Sequence, residues 1–141
     1  MMHWAAKYIG HPYKEGGRGT DGVDCWGLLC LVYHQEFHIE LPEIPGITAT
    51  AVLAFHSALE KEVLCDWEES DWPFDGCAVA MSQKEAIHHV GLWADADGGK
   101  IIHSWKQQKV IADTPRLLAL KGIKTVRYYR HSLWTQRQEV A

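Results

Sequence analysis

The spacing of apolar residues divides the chain into a helical first part and a strand-rich second part. Residues 25–37 and 50–63 carry apolar side chains at near-helical intervals, and a short first helix is predicted at 4–9. Short apolar runs separated by turn residues then predict strands at 76–81, 88–93, 100–105, 109–112 and 123–129, with one or two helical turns at 115–120. This order predicts an α+β fold, with N-terminal helices packed on a C-terminal antiparallel sheet of about five strands.

The segment 11–24 interrupts the first part and is predicted to be a loop. It holds four glycines and one proline in 14 residues. Loops of that length are usually functional. Asp24 is positioned to cap the helix that begins at Cys25.

Length and composition limit the classes of protein that fit. With 141 residues the chain makes one domain, which we assign to residues 1–135, and residues 136–141 are expected to fray. The net charge is −4 and no cluster of Lys and Arg stands out, so nucleic acid is disfavoured as a partner. The seven Trp and five Tyr residues suit a core, or a groove that binds sugars and peptides.

Nothing in the sequence resembles a secretion signal, and no run approaches the ~20 apolar residues of a membrane span. We therefore expect synthesis in the cytoplasm without a signal peptide. None of the four cysteines forms a CxxC pair, which argues against a zinc ribbon or a thioredoxin-like site. Free thiols are favoured, although two disulfides are arithmetically open.

Cys25 is the candidate nucleophile. At a helix N-terminus a thiolate faces unpaired backbone N–H groups and the positive end of the helix dipole, so its pKa is expected to fall. The alternative is that Cys25 is a small buried apolar residue, which is the interpretation favoured for Cys30, Cys65 and Cys77.

His89 and His103 are the candidate base and orienting group. They lie on two predicted strands joined by a short turn, so they can come side by side on a face expected to meet the Cys25 helix. Metal binding by His88, His89 and His103 is the rival interpretation. Adjacent strand residues point to opposite faces, which makes His88 and His89 poor joint ligands.

Three segments resemble motifs of the NlpC-type peptidases. IGHPYKEGGRGTDGVDCWGLLCLVY is similar to the family's opening motif, HHVGLW to the strand that carries its histidine, and KIIHSW to its third motif. FDGCAVAM is similar to a strand that usually opens with Gly-Asp, but here that order is reversed. The matches come in the family's order and place its catalytic residues on Cys25, His89 and His103.

The resemblance implies a papain-like fold and hydrolysis of peptidoglycan stem peptides, commonly between D-glutamate and a diamino acid. It also implies that Tyr13 lies near the nucleophile and helps to stabilise the oxyanion, although Tyr13 could equally be a loop aromatic packed on the core. Trp26 stands where serine is usual. We place Trp26, with Asp24 and Gly17 of the same motif, among the substrate-binding residues. No metal or organic cofactor is needed.

The Trp-rich motif resembles that of peptidases encoded with phage tail modules. This implies phage tail proteins as partners, and either association with the virion or delivery to the periplasm and cell wall. Three alternatives stay open: an acyltransferase or deamidase on the same fold, an inactive structural tail component, and an interbacterial wall-degrading toxin. Retention of Cys25, His89 and His103 argues against the inactive component.

Overall fold

The computed structural model describes residues 3–19, 21–42, 67–82, 89–105, 108–123 and 125–134. A 3₁₀ helix, Trp4–Lys7, precedes a hairpin of two short strands, β1 (Arg18–Gly19) and β2 (Gly22–Val23). Helix α1 (Cys25–Val32) continues into a π-helical segment, Tyr33–Phe37. The later elements are β3 (Trp67–Ser70), β4 (Ala78–Ser82), β5 (His89–Ala94), β6 (Lys100–Ser104), β7 (Val110–Asp113), α2 (Pro115–Leu120) and β8 (Thr125–His131).

The six later strands form one antiparallel sheet in the order β3-β8-β4-β5-β6-β7. The ladder between β5 and β6 runs from the pair Ala94 and Lys100 to the pair Leu92 and Ile102. On the far side of β6, Ile101 lies opposite Asp113. This register brings β5, β6 and β7 together, so side chains from all three strands can meet.

Two apolar clusters cover the two faces of the sheet. Alternate residues of β5 and β6, among them Leu92 and Ile102, pack with Leu28 and Leu29 of α1. Their neighbours Trp93 and Ile101 pack in a second cluster with residues such as Leu118 of α2. The central strands are therefore covered on both faces, which holds the backbone of β5 and β6 rigidly.

The predicted α+β class is confirmed, as are the helix at 25–37 and the later strands. The sheet has six strands where about five were predicted. β3 was missed because it is a largely exposed edge strand of sequence WEES, which lacks an apolar alternation. The first helix is a single 3₁₀ turn, and the segment predicted as a loop at 11–24 contains the β1–β2 hairpin.

Several sequence expectations fall outside the described residues: the helix at 50–63, the tail at 136–141, Cys65 and His88. Cys25, Cys30 and Cys77 are free thiols. Among the described residues, no helix is long and apolar enough to cross a bilayer.

Candidate active site

Asp24 caps helix α1 and ties the preceding loop to it. One carboxylate oxygen accepts a hydrogen bond from the backbone N–H of Gly27 at 2.7 Å and another from the Arg18 guanidinium at 2.8 Å. The other oxygen accepts from the backbone N–H of Gly16 at 3.0 Å. The predicted N-cap is confirmed, and the same side chain fixes the loop beside the first turn that carries Cys25.

Two glycines allow the loop to press against this turn. A Cβ on Gly27 would lie 2.0 Å from the carbonyl oxygen of Gly17, and a Cβ on Gly17 would lie 2.3 Å from that of Gly22. Both distances are far below van der Waals contact. The glycines of the opening motif are therefore required for close backbone packing around the helix N-terminus.

Cys25 is buried at the start of α1, against strand β5. The backbone N–H groups of Trp26 and Val90 lie near its sulfur and favour the thiolate, and Val90 directly follows His89. Burial, helped by the Asp24 carboxylate, raises the pKa of the Cys25 thiol to about 12, against the opposing effects of the two N–H groups and of Arg18. The predicted fall in this pKa was wrong, because desolvation outweighs the helix terminus.

Tyr13 lies close to the nucleophile, as the family resemblance implied. Its backbone bridges to Val23, and its side chain is partly exposed. Burial, with the neighbouring charges of Cys25 and Asp24, raises the pKa of the Tyr13 phenol to about 12. The phenol is therefore protonated at neutral pH and has an O–H to donate near the sulfur.

The two predicted histidines are hydrogen-bonded to each other. His89 Nε2 lies 2.8 Å from His103 Nδ1, and both rings are buried. Gly91 permits this approach, since a Cβ there would stand 2.5 Å from the Ile102 carbonyl oxygen and 3.0 Å from the His103 Cβ. The indole of Trp105 packs edge-on against both rings, at centroid distances of 5.1 and 5.4 Å.

The sequence had suggested that His89 and His103 face α1, but they lie on the other face of the sheet. By alternation they lie on the face that carries Trp93 and Ile101, and their Trp105 neighbour packs in that second cluster. Cys25 belongs to the other cluster and reaches the end of β5 at Val90, beyond the last ladder pair between β5 and β6. Cys25 therefore lies beside the first residues of the strand that carries His89.

Asp113, which was not predicted from the sequence, is hydrogen-bonded to His103 on the side away from His89. Asp113 Oδ2 lies 2.9 Å from His103 Nε2 and 2.8 Å from Lys121 Nζ. Burial works to raise the pKa of Asp113, but its hydrogen bonds to Lys121 and His103 outweigh that effect and lower it. Burial lowers the pKa of His103 in spite of Asp113, so its ring is neutral at neutral pH.

The three residues assigned to substrate binding hold the site together instead. Trp26 is only 1% exposed and its indole N–H donates to the Pro42 carbonyl, which leaves no surface for stacking on a substrate. The Asp24 carboxylate is 3% exposed and its hydrogen bonds are internal. Gly17 is buried, and its carbonyl accepts from Arg18.

Comparison with known proteins supports the interpretation of these motifs. The model of the NlpC/P60 family matches residues 10–140, which is nearly the whole chain. The chain belongs to the NlpC/P60 family. This stretch includes the opening loop, Cys25, both histidines and Asp113.

Two curated relatives come from Bacillus subtilis (strain 168). The chain is 30% identical over 111 residues to gamma-DL-glutamyl hydrolase, and 32% identical over 112 residues to gamma-D-glutamyl-L-lysine dipeptidyl-peptidase. The matches cover 78% and 79% of this chain, but only 24% and 33% of those proteins. The chain therefore spans a third or less of their length.

The fold also matches a solved structure, the NlpC/p60 domain of the peptidoglycan hydrolase SagA. The TM-score is 0.57 at 22% identity, with 88% of this chain and 91% of that domain covered. This agreement confirms the predicted NlpC-type α+β architecture.

Proposed function

We propose that this protein is a cysteine peptidase that hydrolyses an amide bond in peptidoglycan stem peptides, between D-glutamate and the diamino acid that follows it. One observation carries the proposal: a buried thiol at a helix N-terminus lies against the strand position next to His89, which is itself bonded to a second histidine. A nucleophile, a base and an orienting group are the parts that acyl transfer to water requires.

The burial of Cys25, which raises the pKa of its thiol, favours one of two ways of activating that thiol. A stable thiolate–imidazolium pair would require a low thiol pKa, whereas burial favours the neutral S–H form. His89 therefore acts as a general base, and takes the proton as the sulfur attacks the substrate carbonyl. Its Nε2 is hydrogen-bonded to His103, and we assign the proton transfer from the thiol to Nδ1.

The oxyanion formed by that attack needs donors near the sulfur. The backbone N–H of Trp26 lies near the sulfur in the first turn of α1, and the phenol of Tyr13 lies nearby. We assign these two groups to the oxyanion. Protonated His89 then donates to the leaving amine, and water hydrolyses the thioester at Cys25.

The choice of bond rests on the relatives. Both curated proteins are named for a γ-glutamyl bond, and one of them for the bond between γ-D-glutamate and L-lysine. The alternative of acyl transfer from a lipid would favour an apolar cavity at the thiol. A cleft of about 570 Å³ lies between the 3₁₀ helix and strands β5 to β7, but neither Cys25 nor His89 lines it.

Digestion of purified peptidoglycan, with the released peptides identified by mass spectrometry, tests the proposal. The wild-type protein is expected to separate D-glutamate from the diamino acid, and Cys25→Ala is expected to leave the stem peptides whole. Cys77→Ala is the matched control, because Cys77 is also a buried free thiol but lies in the second cluster. Equal cleavage by wild type and Cys25→Ala, or none by a folded wild type, would contradict the proposal.

Delivery to the wall stays a separate prediction. We propose that the protein acts as part of a phage tail, on the strength of the motif around Cys25 alone. Detection of the chain in purified virions by mass spectrometry would support this placement. A neighbouring immunity gene that neutralises the protein would instead favour the toxin alternative.

A further inference from the structure

Asp113 and Lys121 extend the two histidines into a chain of four hydrogen-bonded side chains. The contacts run from His89 to His103 at 2.8 Å, from His103 to Asp113 at 2.9 Å and from Asp113 to Lys121 at 2.8 Å. His103 has no exposed surface and Asp113 is only 6% exposed. None of the motif matches that identified the two histidines includes Asp113 or Lys121.

The hydrogens shared between these four side chains can be assigned by starting from Asp113. An ionised Asp113 can only accept, so the Nε2 of His103 must carry the hydrogen between them. A neutral His103 then has a lone pair on Nδ1, which must accept from the Nε2–H of His89. In this tautomer the lone pair of His89 is on Nδ1, the nitrogen to which the thiol proton is assigned above.

We infer that Asp113, held in place by Lys121, is a positioning residue that fixes the tautomers of both histidines so that His89 presents a basic Nδ1 to the nucleophile. In the first step one proton moves: the S–H bond of Cys25 breaks and an N–H bond forms at His89 Nδ1. The hydrogens on Nε2 of both rings stay where they are, and the Asp113 carboxylate remains an acceptor throughout.

Lys121 fixes the orientation of the Asp113 carboxylate relative to His103. Its ammonium donates to Oδ2, the same Asp113 oxygen that His103 contacts, so that oxygen faces two donors. An asparagine in place of Asp113 should therefore keep its amide oxygen on this side and preserve the tautomers, although without the negative charge. An alanine removes the acceptor and frees His103 to adopt the other tautomer, which would put a hydrogen on His89 Nδ1.

Side-chain ¹⁵N NMR of the histidines tests the tautomers without any substrate. In wild type and in Asp113→Asn, both rings are expected to be protonated at Nε2 and unprotonated at Nδ1. In Asp113→Ala, His103 is expected to become a mixture of tautomers. A wild-type His103 protonated at Nδ1 would overturn the inference, and so would unchanged tautomers in Asp113→Ala.

The kinetic test rests on the proposed peptidase activity. Asp113→Ala is expected to lower kcat by roughly 10- to 100-fold with little change in KM, since general-base catalysis is worth about 10²–10⁴-fold. Asp113→Asn should retain much more activity than Asp113→Ala. If wild type cleaves no stem peptide, the proposed function fails while the NMR result still decides the tautomers.

Asp75 provides a matched control for the loss of a histidine–carboxylate pair. Its carboxylate accepts from the His3 ring at 2.8 Å and from the Trp4 indole at 3.0 Å, next to the turn after β5. Asp75→Ala should keep kcat within about twofold of wild type. If Asp113→Ala fails to fold, Lys121→Met takes its place, because Lys121 is 39% exposed. A wild-type kcat and wild-type tautomers in Lys121→Met would then contradict the inference.

Discussion

Gly91 is the position where a single added carbon should damage the site most. The Cβ of an alanine there would stand 2.5 Å from the Ile102 carbonyl oxygen, 3.0 Å from the His103 Cβ and 3.2 Å from Ile101 Cγ2. Ordinary contacts between carbon atoms are about 3.5–4.0 Å, so β6 must move away from β5 by roughly 1 Å. The His89–His103 contact of 2.8 Å would then stretch beyond hydrogen-bond range.

Two measurements on Gly91→Ala follow from this displacement. Overpacking of this kind costs about 1–3 kcal/mol, so the free energy of unfolding in urea should fall by that amount. A misplacement of about 1 Å in a catalytic group can cost about 10²-fold, so kcat on a stem peptide should fall by a similar factor. The lower kcat should be seen at urea concentrations below the unfolding transition, where the variant is fully folded.

Gly19→Ala is the matched control. Among the residues that the structure describes, a Cβ on Gly19 would meet only the Asp21 carboxylate, at 3.6 Å, and the φ angle there is an ordinary one. Its stability and kcat should stay close to those of wild type. A Gly91→Ala protein with the kcat and stability of wild type would refute the view that the close approach of β5 and β6 sets the histidine geometry.

Three further predictions concern the cap and the cysteines. In urea denaturation, Asp24→Ala should lower the free energy of unfolding by at least the ~1 kcal/mol of a lost N-cap, and Asp24→Asn should lower it by less. Equal losses in the two variants would show that the lost cap is not the cause. Iodoacetamide at pH 7 should label Cys25 more slowly than the less buried Cys30, because burial raises the pKa of the Cys25 thiol to about 12. Faster labelling of Cys25 would instead indicate that its sulfur is a thiolate before substrate binds. Burial also raises the pKa of Cys77 to about 12, so above about pH 9 the unfolded chain loses this proton while the folded protein keeps it, and stability should fall from this thiol with a slope that approaches about 1.4 kcal/mol per pH unit well above pH 9. Cys77→Ala should have a shallower decline between pH 9 and 10 in urea titrations, and an unchanged slope would contradict the assignment.

Local patterns were sufficient to predict the helix of the nucleophile and the strands of the histidines. Asp24 directly before an apolar helix is a short-range signal, and it was confirmed by the hydrogen bond to Gly27. The alternation along β5 and β6 likewise placed His89 and His103 on one face, where they meet. These features depend on neighbours within a few residues, or on two strands joined by a short turn.

Features that depend on long-range packing were not predicted correctly. The pKa of Cys25 rises because the thiol is buried against β5, which the helix position alone does not reveal. Trp26 reads as a groove residue from its place in the motif, but its indole is buried against Pro42. Asp113 was missed because the predicted strand ended one residue earlier, at 112, and its meeting with His103 depends on the register of β6 and β7.

The central claim is that Cys25 forms a covalent thioester with the D-glutamyl side of the stem peptide. The most direct measurement is to mix the protein with a γ-D-glutamyl stem peptide, quench with acid within the first turnover, and map the adduct by mass spectrometry. We predict an acyl group on the peptide that contains Cys25, and none in Cys25→Ala, which should also cleave nothing. Turnover by wild type with no adduct at any time point, or turnover by Cys25→Ala, would contradict it.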